Sequence, residues 1–257
     1  MAKSRSFGRR WFLSAAATLS LCSCSSHAEQ PQSRTEVSLP EARGGKLAQE
    51  SPITSDSTES PQAEPSAHHF RADSLSVLVN KQHPLDPIHY HPHDLVPFGS
   101  VLLRAEAAQN AHALFAAATR EGLSPTTLSG YRSYDDQINT YEHWVNTYGK
   151  EQADTASARP GYSEHQTGLA LDIGSAAGNC NLAVCFSQTP EAQWFARYAH
   201  RFGFILRFPY WKHELTGYFY ESWHFRYIGV SEAERYYQSH AECLETFWGF
   251  GPAPAYL

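Results

Sequence analysis

The chain of 257 residues lacks a basic stripe, and its 20 Lys and Arg against 26 Asp and Glu leave a net charge of −6 at pH 7. Nucleic acid is therefore not an expected partner. There is no internal repeat, and the helix and strand candidates lack the even alternation of a doubly wound sheet. The apolar run at residues 11–21 is too short to span a bilayer comfortably. Cysteine is scarce: of five, only Cys180, Cys185 and Cys243 lie beyond residue 24. Cys180 and Cys185 could bridge in an oxidising compartment and leave Cys243 free. A thiolate metal site is the weaker reading, since no second pair completes a tetrahedron.

What is present begins with Arg5, Arg9 and Arg10 ahead of that apolar run, the layout of an export signal over residues 1–24. The Arg9-Arg10 pair is compatible with twin-arginine as well as general export. Leu21-Cys22-Ser23-Cys24 resembles a lipobox, with Cys24 the better site because small Ser23 precedes it. An exported, extracytoplasmic protein is expected, joined to a membrane only through such a lipid anchor. Residues 25–69, rich in Ser, Glu, Pro, Gln and Thr, bury too little apolar surface to order themselves and read as a tether. Residues 70–257 are aromatic-rich and of single-domain size, expected to be a monomer.

Within that domain, residues 100–122 carry Leu103, Ala107, Ala111, Leu114 and Ala118 at helical spacing, with Gly122 beyond. Ser133 and Asp136 predict a capped helix running to Tyr148. Thr189-Pro190-Glu191 predicts another, buried through Trp194, Phe195, Tyr198 and Phe202 and stopping near Gly203. Ser231-Glu232-Ala233-Glu234 predicts a fourth start. Strands are expected at residues 75–79, 127–131, 168–173, 203–207 and 223–227, so the class is α+β.

Chemistry enters with His165 and Asp172, seven residues apart around Gly168 and an apolar stretch. A carboxylate inside Leu-Ala-Leu-Asp-Ile needs a partner or a metal. Alone, the segment suits a hydrogen-bonded structural Asp equally well. The balance shifts at Glu221-Ser222-Trp223-His224: a strand over 223–227 puts His224 and Arg226 on one face. Glu221 then reaches the same side only if the chain bends at residues 221–222. Two His and one carboxylate leave a catalytic zinc an open position for water, and Glu221 beside His224 suits a general base.

These two segments, with Val79-Asn80-Lys81, Ser129-Gly130-Tyr131-Arg132-Ser133, Gln137 and Gly203-Phe204-Ile205-Leu206-Arg207-Phe208-Pro209, resemble the VanY-type D-alanyl-D-alanine carboxypeptidases, the M15B peptidases. The resemblance covers residues 77–231. It implies a Hedgehog/DD-peptidase-like fold, whose small antiparallel sheet carries one Zn2+ on His165, Asp172 and His224 between flanking helices. It also implies Glu221 as base, Arg132 at an oxyanion or a substrate carboxylate, and Gln137 and Ser163 as substrate contacts. An Arg fork suits either anion, with a surface cation ahead of a helix as the lesser alternative for Arg132. The family often has Pro where Ser222 stands, which implies a looser base here.

The implied activity is removal of the terminal D-Ala from peptidoglycan stem peptides. Alternatives are an L,D-carboxypeptidase on the tetrapeptide stem and a cell-wall binding module that keeps the metal without catalysis. His89, His91 and His93 could share one face of an extended segment, but Pro87, Pro92 and Pro97 favour a solvated loop at the cleft rim.

Overall fold

The structure, a computed structural model, describes residues 64–257. The expected export signal and lipobox, and most of the expected tether, lie outside the described residues. Ala67–Phe70, at the join of tether and domain, form a 3-10 turn whose His69 is buried and stacks on Trp248 at 4.5 Å. Among the described residues no helix is long and apolar enough to cross a membrane.

A four-stranded antiparallel sheet forms the centre, in the order β3 (Pro125–Ser129), β4 (Ala170–Ser175), β6 (His224–Tyr227), β5 (Phe204–Leu206). The two inner strands, β4 and β6, are buried at every residue. A separate ribbon pairs β1 (Leu95–Phe98) with β2 (Val101–Arg104). Helix α1 (Ala105–Arg120) lays Ala107, Ala111, Leu114 and Ala118 into the main core with Leu171, Phe195 and Phe225. The other helices are α2 (Tyr134–Tyr148), α3 (Lys150–Ala156), α4 (Pro190–Tyr198), α5 (His213–Thr216), α6 (Val230–Ser239) and α7 (Leu244–Phe247). Helices around an antiparallel sheet are the α+β class expected.

Local signals held where they were self-contained. Ser133 accepts from Asp136 N at the start of α2, and Gly149 ends it with φ 83°. Thr189 accepts from Ala192 N at the start of α4, and a 3-10 turn carries the chain to Gly203.

Four expectations are corrected. Residues 75–79 form no strand; their carbonyls serve a side chain instead, with Arg226 donating to Leu75 O and Val77 O. The helix expected from residue 100 starts at Ala105, because residues 101–104 pair with β1. That strand contains Pro97, which an edge strand tolerates since it need not donate there. Helix α6 starts at Val230 after Gly229, so Ser231 lies inside the first turn and does not cap it. His89 and His91, finally, pack on Tyr134 and Tyr131, and neither they nor His93 line the cleft described next.

Candidate metal centre and active site

Pairing of β4 with β6 sets Asp172 directly opposite His224. His165 arrives from a 3-10 turn, Glu164–Thr167, which ends at Gly168 in the left-handed conformation (φ 67°) that glycine adopts freely. A Cβ on Gly168 would also lie 2.9 Å from the tip of the Leu95 side chain, which would have to shift to admit it. His165, Asp172 and His224 are all buried, and a ligand atom from each lies within 4.8 Å of the others. His165 Nε2 is 3.3 Å from Asp172 Oδ2, and His224 Nδ1 is 3.2 Å from Asp172 Oδ1. Ligands about 2.0–2.1 Å from a tetrahedral zinc stand roughly 3.3 Å apart.

Both imidazoles have their far nitrogens occupied. His165 Nδ1 lies 2.7 Å from Gly130 O, a carbonyl, so it donates there and its Nε2 keeps a lone pair towards Asp172. His224 Nε2 lies 3.3 Å from Glu164 Oε2, which leaves Nδ1 facing Asp172 and Glu221. Asp172 Oδ1 is buried without a hydrogen-bond partner despite its proximity to His224, an arrangement that a cation would satisfy. By donor set, spacing and orphaned oxygen, these residues fit a divalent metal such as zinc.

The expected bend is present. His224 N donates to Glu221 O at 3.2 Å, so residues 221–224 form a turn and β6 starts at His224, one residue later than expected. The turn brings Glu221 Oε2 to 3.6 Å from His224 Nδ1. Ser222, within this turn, is itself buried.

Electrostatics follow from burial and crowding. Burial raises the Glu221 carboxyl to about 7, with Asp172 adding to the rise and His224 and Arg132 opposing it. Burial would lower His224, but Asp172, Glu164 and Glu221 outweigh it and push the imidazole up to about 10. Three carboxylates around this pair of imidazoles make a site that calls for positive charge, which a divalent metal would supply in place of the proton.

Arg132 reaches the same cleft, of about 290 Å3, which His165, Asp172, Glu221 and His224 also line. Burial lowers its pKa, while Asp172 and Glu221 oppose that. Its Nη1 donates to Gln137 Oε1 at 2.8 Å and its Nη2 to Ser129 Oγ at 2.9 Å. Gln137 borders the cleft but is fully buried, and its Nε2 donates to Ala158 O at 2.7 Å. On this geometry Gln137 braces Arg132 at the edge of the cleft. Ser163 is buried against the cleft wall, before the turn that carries His165.

Comparisons with known proteins give the family. Residues 100–230 match the family model described as VanY, D-alanyl-D-alanine carboxypeptidase, over half of the chain. The chain belongs to the VanY family. It is 40% identical over 172 residues to YodJ of Bacillus subtilis (strain 168), which carries a carboxypeptidase name; the match covers 63% of each chain. Among solved structures, the LdcB LD-carboxypeptidase superposes with TM-score 0.64 at 38% identity, covering 69% of this chain and 86% of that one. VanY of a VanB-type resistance cassette, in complex with Zn(II), superposes with TM-score 0.58 at 31% identity, covering 66% and 97%. The chain thus spans less than two thirds of the length of YodJ.

A further residue in the site, Glu164, escaped the sequence reasoning. Its Oε1 accepts from Arg207 Nε at 2.8 Å and Arg226 Nη1 at 2.9 Å, and its Oε2 meets His224. Burial opposes its ionisation, but Arg207, Arg226 and His224 prevail and hold the carboxyl well below its usual range. Arg207 continues to Glu245 in α7, through Nη1 at 3.0 Å and Nη2 at 2.6 Å. The sequence signal was a carboxylate beside a ligand histidine, with no sign of which arginines it meets.

Proposed function

We propose that this chain is a zinc-dependent D,D-carboxypeptidase of Hedgehog/DD-peptidase-like fold, removing the terminal D-Ala from peptidoglycan stem peptides. The observation that carries the reading is a three-ligand site of His165, Asp172 and His224 with a half-buried acid, Glu221, and a half-buried cation, Arg132, in one cleft.

Zinc held by His165 Nε2, Asp172 and His224 Nδ1 would supply Lewis-acid chemistry to a water and a carbonyl. Glu221, at about 7, is poised to accept a proton near neutral pH. It takes a proton from the attacking water as the new C–O bond forms, then delivers it to the amide nitrogen as the C–N bond breaks. Arg132, anchored by Gln137 and Ser129, presents its guanidinium to the substrate's terminal carboxylate or to the developing oxyanion. Glu164 fixes the tautomer of His224 from behind. Ser163 is assigned to the substrate-contacting wall.

The reaction belongs outside the cytoplasmic membrane, where stem peptides are. The Cys180–Cys185 disulfide suits such a compartment, as do the export signal at residues 1–24, the lipidation site at Cys24 and the tether at residues 25–69. The domain needs no second copy to complete the site, so it acts as a monomer.

An L,D-carboxypeptidase is the second reading, favoured by the likeness to LdcB. A binding module without catalysis is disfavoured by Glu221, which such a module would not need. The test is alanine release from stem pentapeptide and tetrapeptide, separately, with and without a chelator. Chelator-sensitive release from the pentapeptide is expected. Release from the tetrapeptide alone would move the assignment to L,D, and no release from either, with zinc bound stoichiometrically, would overturn the carboxypeptidase reading.

A further inference from the structure

Three residues after Asp172, β4 ends at Ser175 and the chain enters a short loop closed by the Cys180–Cys185 disulfide. Within it Cys180 (φ 64°) and Leu182 (φ 54°) both adopt the left-handed backbone. A leucine is poorly suited to that region, and Asn181 next to it would enter it more readily. The asparagine is engaged elsewhere: its Oδ1 accepts from Ser175 N at 3.0 Å and its Nδ2 donates to Ser175 O at 3.3 Å. It also lies on Gly174, where a Cβ would stand 2.5 Å from Asn181 Oδ1. A covalent clip, an amide clamp and a glycine seat thus anchor the loop to the strand that bears Asp172.

This anchoring buries nothing at Leu182. The side chain is 53% exposed, yet it lines the cleft that contains Arg132 and Glu221. Core packing therefore does not account for its strained backbone, and strain of this kind, held in place by its surroundings, is characteristic of ligand-contacting positions. Phe219, 59% exposed, is an apolar companion on the cleft lining. The buried floor is charged, whereas these outer residues are apolar.

We propose that Leu182 is a specificity-determining contact, held at the cleft mouth to pack against aliphatic side-chain carbons of the residue preceding the two terminal alanines. The assignment rests on the carboxypeptidase reading: a substrate whose terminal carboxylate lies at half-buried Arg132 must run outward past the exposed lip. A lysine at that upstream position offers Leu182 a methylene chain, and an alanine does not.

The test uses the zinc-loaded protein and two peptides ending in D-Ala-D-Ala, one with lysine and one with alanine immediately upstream. Leu182→Ser raises KM about tenfold for the lysine peptide, kcat stays within about twofold, and the preference over the alanine peptide is lost. The double variant Cys180→Ser/Cys185→Ser shifts KM the same way if the clip is what presents the leucine. Equal changes for both peptides, or an unchanged KM, would overturn the proposal while wild-type turnover left the carboxypeptidase reading intact. If the wild type turns nothing over, calorimetric binding of the same peptides to Glu221→Ala reads the Leu182 contact instead. Absence of both turnover and binding would sink the reading and the proposal with it.

Discussion

The two sides of the cleft are built by opposite means. Behind His224, Glu164, Arg207, Arg226 and Glu245 are buried, and their charges pair with one another. At the mouth, Leu182 and Phe219 are exposed and apolar, and Leu182 is held in the left-handed backbone (φ 54°). The rear wall gains precision from charges that tolerate only one arrangement, since an unmatched buried ion is strongly destabilising. The lip gains its shape from local backbone constraint, which costs little in packing and leaves its side chains free for contact. Chemistry is thus held by long-range pairing, and recognition by short-range geometry.

Substitutions at the two walls can break this contrast. The largest effect is expected between them, at Glu221. Glu221→Ala lowers alanine release by about 10²–10⁴-fold, while metal analysis shows zinc still bound and the melting curve stays in place. At the rear, Glu164→Ala leaves buried Arg226 without a carboxylate and Arg207 with Glu245 alone, and lowers unfolding free energy by about 3–5 kcal/mol in denaturant titrations. Glu164→Gln keeps the shape but gives His224 a poorer acceptor. Its zinc affinity falls about 10–100-fold in competition with a chelator, with an altered cobalt absorption spectrum. Smaller still is Ser222→Pro, which suits the second position of the turn at residues 221–224 and raises stability by about 0.4–1 kcal/mol. The lip should be almost silent in stability: Phe219→Ala changes it by no more than about 0.5 kcal/mol. A large loss there would show that the lip is part of the core and erase the contrast.

The site was legible where its parts were close in sequence. His165 and Asp172 are linked by one turn and the start of one strand, and Glu221 and His224 by one turn, so each pair lay in one short run and the two runs together pointed to a metal. The bend at residues 221–222 followed from the alternation of a strand. The caps of α2 and α4 were legible for the same reason, as Ser133 with Asp136 and Thr189 with Ala192 act within three residues. Residues 101–104 were misread because Leu102 and Leu103 fit a helical period, and their pairing with Leu95–Phe98 outweighed it. Arg132 was placed by resemblance, but the role of Gln137 in holding it depends on a side-chain orientation that spacing does not convey. The pairing of Cys180 with Cys185 was open to reading, and the exposure of Leu182 between them was not.

By itself the sequence determined the types of group at the site, the bend before His224 and the family, because each resides in a short run whose geometry is nearly forced. Only the tertiary structure decided that Asp172 faces His224, that Glu164 meets Arg207 and Arg226, and that Leu182 turns outward to the cleft. Those outcomes depend on strand register and on charges 43 and 62 residues apart along the chain, brought together by burial of the sheet. A buried carboxylate has many arginines to choose from in a sequence, and packing leaves it two.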